Sequence, residues 1–207
     1  MRPVSAIPKQ TDHFETIPDV EVTVAPEEYA IRAWLETIVI GLDLCPFAAK
    51  PFRQDGVRFS ICRSADTASG LERLIEECRH LDTDLSINTT LLIYPHSLHE
   101  FNDYLDFLSL AETLLSEQGY DGIYQLASFH PDYCFADSDS DDPANYTNRS
   151  PYPILHLLRE DSIAEAIERH PDPENIPRRN IALARNLGES HLHALIASCR
   201  QAGAPRE

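Results

Sequence analysis

The side chains best suited to chemistry lie between Ser128 and Glu160, in the stretch SFHPDYCFADSDSDDPANYTNRSPYPILHLLRE. His130 and His156 can take or give a proton near neutral pH. Arg149, with the amides of Asn145 and Asn148 and the Ser150 hydroxyl, could hold a carboxylate, a phosphate or a developing oxyanion. A polar loop of this length inside a compact domain is more often functional than idle. A plainer role is open to the same residues: asparagines shaping turns, Ser150-Pro151 and Tyr152-Pro153 stiffening the loop, histidines satisfying buried backbone groups. For any one residue the plainer role is the better expectation, and for the cluster as a whole the functional one.

Two other chemistries compete for these positions. His130, Asp132, Asp137 and His156 together would offer imidazoles and carboxylates to zinc or non-haem iron. Yet Asp137, Asp139, Asp141 and Asp142, interleaved with serine, are also what a solvated linker looks like, and the spacing matches neither an EF-hand nor a zinc signature. No metal or other cofactor is therefore assigned. Cys45, in LDLCPFA, is the candidate nucleophile. A residue before proline is biased out of helix, so Pro46 could open a new turn with the thiol at its start, which would lower the thiol pKa. If Cys45 instead closes the first helix, the dipole opposes the thiolate and the residue is plain core. Whether Cys45 reaches His130 is left open by the 46–56 connection, which could extend roughly 35 Å. Cys134 is nearer to His130 in sequence but has no evident orienting group, and Cys62, Cys78 and Cys199 fit packing roles.

The elements that must position these residues follow from periodicity. A first helix opens at Pro26, with Glu27 and Glu28 in its first turn and Ile31, Trp34, Leu35, Ile38 and Leu42 inward. GVRFSICR (56–63) alternates as a half-buried strand, TTLLIYP (89–95) is a buried strand stopped by proline, and IYQLASF (123–129) is a third. Helices at about 67–80 and 97–118 link them, the second ended by Gly119. Links of about 25 residues that carry a helix are the crossovers parallel strands require. ILHLLR (154–159) reads as a fourth strand, because Ser162-x-x-Glu165 is a capping box that starts a helix after it, and since it enters from the loop after the third strand it is expected to return antiparallel. Helices opening at Pro173 or Pro177 and at Ser190 end the chain.

The expectation is therefore an α/β domain, with α+β open: three parallel strands with helical crossovers, an antiparallel fourth, and a C-terminal helical pair. Its span is 26–202, after an extended or disordered leader (1–25) and before a short tail (203–207). Ligands bind beyond the carboxyl ends of parallel strands. His130, Asp132, Asn145, Asn148, Arg149, Ser150 and His156 are then expected to converge there, with Arg159 and Glu160 at the opposite end.

LDLCPFA, ASFHPDYCFA and especially NYTNRSPYPILHLLRE resemble a family of unknown function, domain of unknown function 1415, over about Trp34 to Leu187. The resemblance implies no activity or cofactor. It picks out Cys45, Pro46 and Phe47; Phe129, His130 and Pro131; Asn145, Thr147 to Pro151; and His156, Arg159 and Glu160.

Composition sets the outer bounds. With 34 acidic against 17 basic residues the net charge is −17, which repels polyanions and anionic lipid and argues against nucleic-acid binding. No apolar run approaches the roughly 20 residues of a membrane helix. The N-terminus lacks a signal-peptide core, and the five cysteines are odd in number without a CxxC pair, so a reducing cytoplasm is expected.

Three functions compete. The leading one is a small-molecule enzyme, of unassigned reaction, with a His130 or His156 proton carrier, Arg149 and Asn148 binding an acidic group, and Cys45 as the alternative catalytic residue. An acidic module that binds a basic protein, and a metal-binding or thiol-sensing protein, are the alternatives. The sequence assigns no oligomeric state.

Overall fold

In the computed structural model the described residues are 24–202, so the leader and tail expected from the sequence lie outside them except for Val24 and Ala25. Helix α1 (Pro26–Trp34) begins as the proline and the two glutamates require, buries Ala30, Ile31 and Trp34, and runs on into a π-helical segment, Leu35–Ile40, that buries Leu35, Ile38 and Val39. Segments of this kind are frequent near functional sites. After the short α2 (Ala49–Arg53) come β1 (Val57–Ile61), α3 (Thr67–Thr83), β2 (Thr89–Ile93), α4 (Phe101–Glu117) and β3 (Tyr124–Phe129).

The polar loop follows, carrying a 3-10 turn at Pro143–Thr147, and leads into β4 (Ile154–Arg159). Helices α5 (Glu160–Arg169), α6 (Ile176–Leu187) and α7 (Glu189–Ala202) end the described chain, with Gly188 at φ 80° separating the last two.

The four strands form one sheet in the order β1-β2-β4-β3. β1 and β2 are parallel, and β4 lies antiparallel between β2 and β3, so β1, β2 and β3 all point the same way. The mixed α/β architecture is the one expected. Placement of β4 inside the sheet agrees with its side chains: Ile154, Leu155 and Leu157 are all fully buried, apolar on both faces as a central strand must be, whereas β3 exposes Gln125 at the edge.

Alternation divides the strands between two cores. Leu92, Leu155 and Leu157 pack with α3 and α4, while Leu91, Ile93 and Ile154 pack with α1, the π-helical segment, α6 and α7. Each fully buried leucine or isoleucine contributes about 1.5–3 kcal/mol, so both layers hold the sheet.

Two helix starts differ from the expectation. α4 begins at Phe101 rather than near Ser97, because Leu98 adopts φ 59° and turns the chain before the helix can form. α5 begins at Glu160, directly off β4, rather than at Ser162. The Glu160 N–H donates to the Ile123 carbonyl (3.0 Å), and Glu160 with Asp161 fills the first turn, so the helix needs no serine cap. Among the described residues no helix is long and apolar enough to cross a membrane.

Candidate functional site

The polar loop is knitted together largely by the residues expected to bind a ligand. Asn145 is fully buried; its Oδ1 accepts from the Phe135 N–H (3.1 Å) and its Nδ2 donates to the Asp139 carbonyl (2.8 Å). Arg149 donates through Nε to Tyr133 O (3.1 Å) and through Nη2 to Ser140 O (2.9 Å), with its guanidinium 4.4 Å over the Tyr146 ring. Ser150, also fully buried, donates to Tyr152 O at 2.6 Å. The aspartate run is not all free linker. Asp142 accepts the Ala144 N–H to start the 3-10 turn and pairs with Arg185 of α6 at 2.7 Å, and that hydrogen bond holds its carboxyl well below the usual carboxylate range.

His130 is fully buried against Phe101 and Tyr104, whose ring centroids lie 5.2 and 5.1 Å away. A carbonyl can only accept, so the 2.9 Å contact with Leu98 O puts the proton on Nε2, and Nδ1 accepts the Asp132 N–H (3.0 Å). Both nitrogens are occupied, and burial pushes the pKa down, keeping the ring neutral. His130 thus clamps the β2–α4 turn to the start of the polar loop.

His156 lies on the other face of the sheet, beside Phe129 (6.2 Å between rings) and opposite Leu91 and Ala127 in the register. The Thr89 hydroxyl donates to Leu157 O at 2.7 Å and must therefore accept from His156 Nε2, also at 2.7 Å. Nδ1 has no partner among the described residues. Burial pushes the His156 pKa down to about 4. The expected convergence is thus divided, with His130 and His156 separated by the sheet. Among the described residues no three His, Cys, Asp or Glu side chains gather in a metal-binding group.

Arg159 goes to the far end, as expected. It donates to the carbonyls of Leu81 and Ile87 and to the Tyr124 hydroxyl, tying β4 to the α3–β2 connection.

Cys45 resolves differently from either of its two expected settings. The helical run ends when Asp43 takes φ 54°, with Asp43 N–H donating to Ile40 O (3.0 Å) and Leu44 N–H to Val39 O (2.9 Å), a left-handed C-terminal cap. Pro46 then begins a new turn, closed by Ala48 N–H on Cys45 O at 3.2 Å. The thiol does face the N–H groups of Phe47 and Ala48, which favour the thiolate, but burial outweighs them and raises the pKa. Cys45 is a protonated thiol at the head of a short turn.

Cys45 also opens onto a cavity of about 380 Å³. The cavity is lined by Val39 and Leu44, by Phe129 at the end of β3, by Phe135, Thr147 and Asn148 from the polar loop, and by Ile176, Pro177, Asn180 and Ile181 from α6. Arg179 binds Asp43 (2.7 Å) and Asn180 Nδ2 donates to Leu44 O (2.6 Å), so α6 fixes the turn that presents the thiol. Of the expected site residues, Cys45 and Asn148 reach this cavity. Asn148 Nδ2 is anchored on Ser128 O (3.1 Å) and its Oδ1 accepts from Thr147 (3.3 Å).

Sequence reasoning missed the α6 wall. One signal was present: Ile176, Asn180, Ile181 and Ala184 share a helical face, and an asparagine on an otherwise apolar stripe needs a partner.

The fold and the cavity define a mixed α/β domain with a pocket at the carboxyl end of the edge strand β3. The sequence model of a family described as a protein of unknown function, DUF1415, matches residues 27–194, and the chain belongs to that family. No curated protein and no solved structure matches the chain.

Proposed function

We propose that the chain binds a small molecule in the cavity between β3, the polar loop and α6. One observation carries this reading: a largely apolar hollow with a few polar groups, large enough for a small ligand, lies beyond the carboxyl end of β3, an edge strand that points the same way as the parallel pair β1 and β2.

Binding has more support here than catalysis. Cys45 is the one titratable side chain among the cavity walls, and it is held as a thiol. His130 points to the other face and has no free nitrogen, so it supplies no base to Cys45. The acid-binding role expected of Arg149 has less behind it, since two of its nitrogens are occupied by carbonyls. The five cysteines, all free, fit a reducing cytoplasmic setting.

A thermal-shift screen of metabolites tests the reading. Ligands that protect the wild type should lose that protection in Ile181→Trp, which fills the cavity. Equal protection of both proteins would place the ligand elsewhere.

A further inference from the structure

We propose that this cavity takes an uncharged, mostly apolar molecule that presents a hydrogen-bond acceptor oxygen, and discriminates against the corresponding carboxylate; the inference rests on the small-molecule reading above.

The walls contribute four polar side chains, Cys45, Thr147, Asn148 and Asn180. Each asparagine uses one amide hydrogen on a backbone carbonyl, Asn148 on Ser128 and Asn180 on Leu44. The second amide hydrogen of each is without a partner among the described residues, and so is the Cys45 S–H. The Thr147 hydroxyl shares its one hydrogen between Ala144 O (2.9 Å) and Asn148 Oδ1 (3.3 Å) and so offers none to a ligand. Three hydrogens of the wall, those of Cys45, Asn148 and Asn180, are therefore left for a ligand. A carbonyl or ether oxygen satisfies such groups, whereas an apolar ligand alone would leave them without partners.

An anion would also accept these hydrogens, and the first turn of α6 reaches the cavity with the positive end of its dipole. Three observations oppose it. No wall residue is cationic, and the nearby guanidinium groups of Arg179 and Arg149 are engaged by Asp43 and by loop carbonyls. Pro177, in that first turn, has no N–H to give. The behaviour of Cys45 agrees with both: even with two N–H groups facing it, the thiolate loses more through desolvation than it gains. A carboxylate among Val39, Phe129 and Ile181 would meet the same balance.

A pair of isosteric probes separates the two possibilities. Binding of 2-naphthamide and 2-naphthoate to the full chain is titrated by calorimetry at neutral pH, with the wild type, Ile181→Trp and Phe135→Ala. Phe135 is 37% exposed, so its loss opens the rim without emptying the core. The expected result is that the amide binds about tenfold or more tightly than the carboxylate, with both cavity variants weakening it. A carboxylate that binds as tightly, and equally sensitively to the variants, overturns the neutral-ligand inference and leaves the site standing. Binding of the amide that neither variant changes overturns the site itself. Absence of binding by either probe up to about 1 mM overturns the inferred ligand class.

Discussion

Phe129 and His130, consecutive at the end of β3, send their side chains to opposite faces of the sheet. Phe129 meets Trp34 edge-on at 5.1 Å and lines the cavity, whereas His130 meets Tyr104 at 5.1 Å in the layer beneath α4. That alternation puts Cys45 and His130 in different layers and assigns the histidine to the framework.

His130→Ala should accordingly lower stability by about 2–5 kcal/mol, through lost packing and two unpaired backbone groups. Ligand binding in the cavity should change little at temperatures where the variant is folded. Urea denaturation and calorimetry with one ligand check both halves. A variant with native stability and no binding would return His130 to the site.

The reach of the sequence differs between fold and site for a physical reason. The alternation of GVRFSICR and the short apolar run TTLLIYP are local, so those strands could be read directly, and the antiparallel return of β4 followed from its entry out of the loop after β3. The place of β4 between β2 and β3 depends on pairing between residues far apart in the chain, such as Leu91 with His156 and His156 with Ala127. The relative facing of His130 and His156 depends on the same register. The density of polar residues in the loop had a local cause too: Asn145, Arg149 and Ser150 satisfy a long irregular backbone that has no strand to pair with. The cavity, in contrast, comes from α6 meeting the polar loop, with Arg185 on Asp142 and Asn180 on Leu44, and no single segment carries that information.

His156 should make stability depend on pH. Its folded pKa of about 4 lies below the ordinary 6.5, so the unfolded chain binds the proton first as pH falls. The stabilising effect is full above pH 6.5 and is lost progressively down to about pH 4. The shift corresponds to about 3 kcal/mol. His156→Gln keeps a donor for Thr89 without the titration, so the wild type should lose about that much relative to the variant across the window. Parallel curves of unfolding free energy against pH for the two proteins would refute the assignment.

Arg149 should behave as a loop clamp. Arg149→Ala removes the bonds to Tyr133 O and Ser140 O and the contact with Tyr146, at a cost of about 1–3 kcal/mol. Amide exchange should rise over residues 133–142 while β2 and β4 stay protected. If exchange in the loop is unchanged and only ligand affinity falls, the guanidinium is a binding group after all.

Cys45 should react slowly despite its place at the head of a turn. The thiolate is the reactive species, and burial raises the thiol pKa above the ordinary thiol range, so at pH 7 the reactive fraction is below that of an unburied cysteine. Alkylation by iodoacetamide, followed at Cys45 by peptide mass, should therefore be slower than in an unfolded control at pH 7 and should climb with pH through and beyond the ordinary thiol range. His130→Ala should leave the rate alone, because the sheet lies between the two groups, and a cavity ligand should slow it further. A rate at pH 7 faster than the control, falling in His130→Ala, would mean that an activated thiol and its base exist in solution and that Cys45 is a nucleophile.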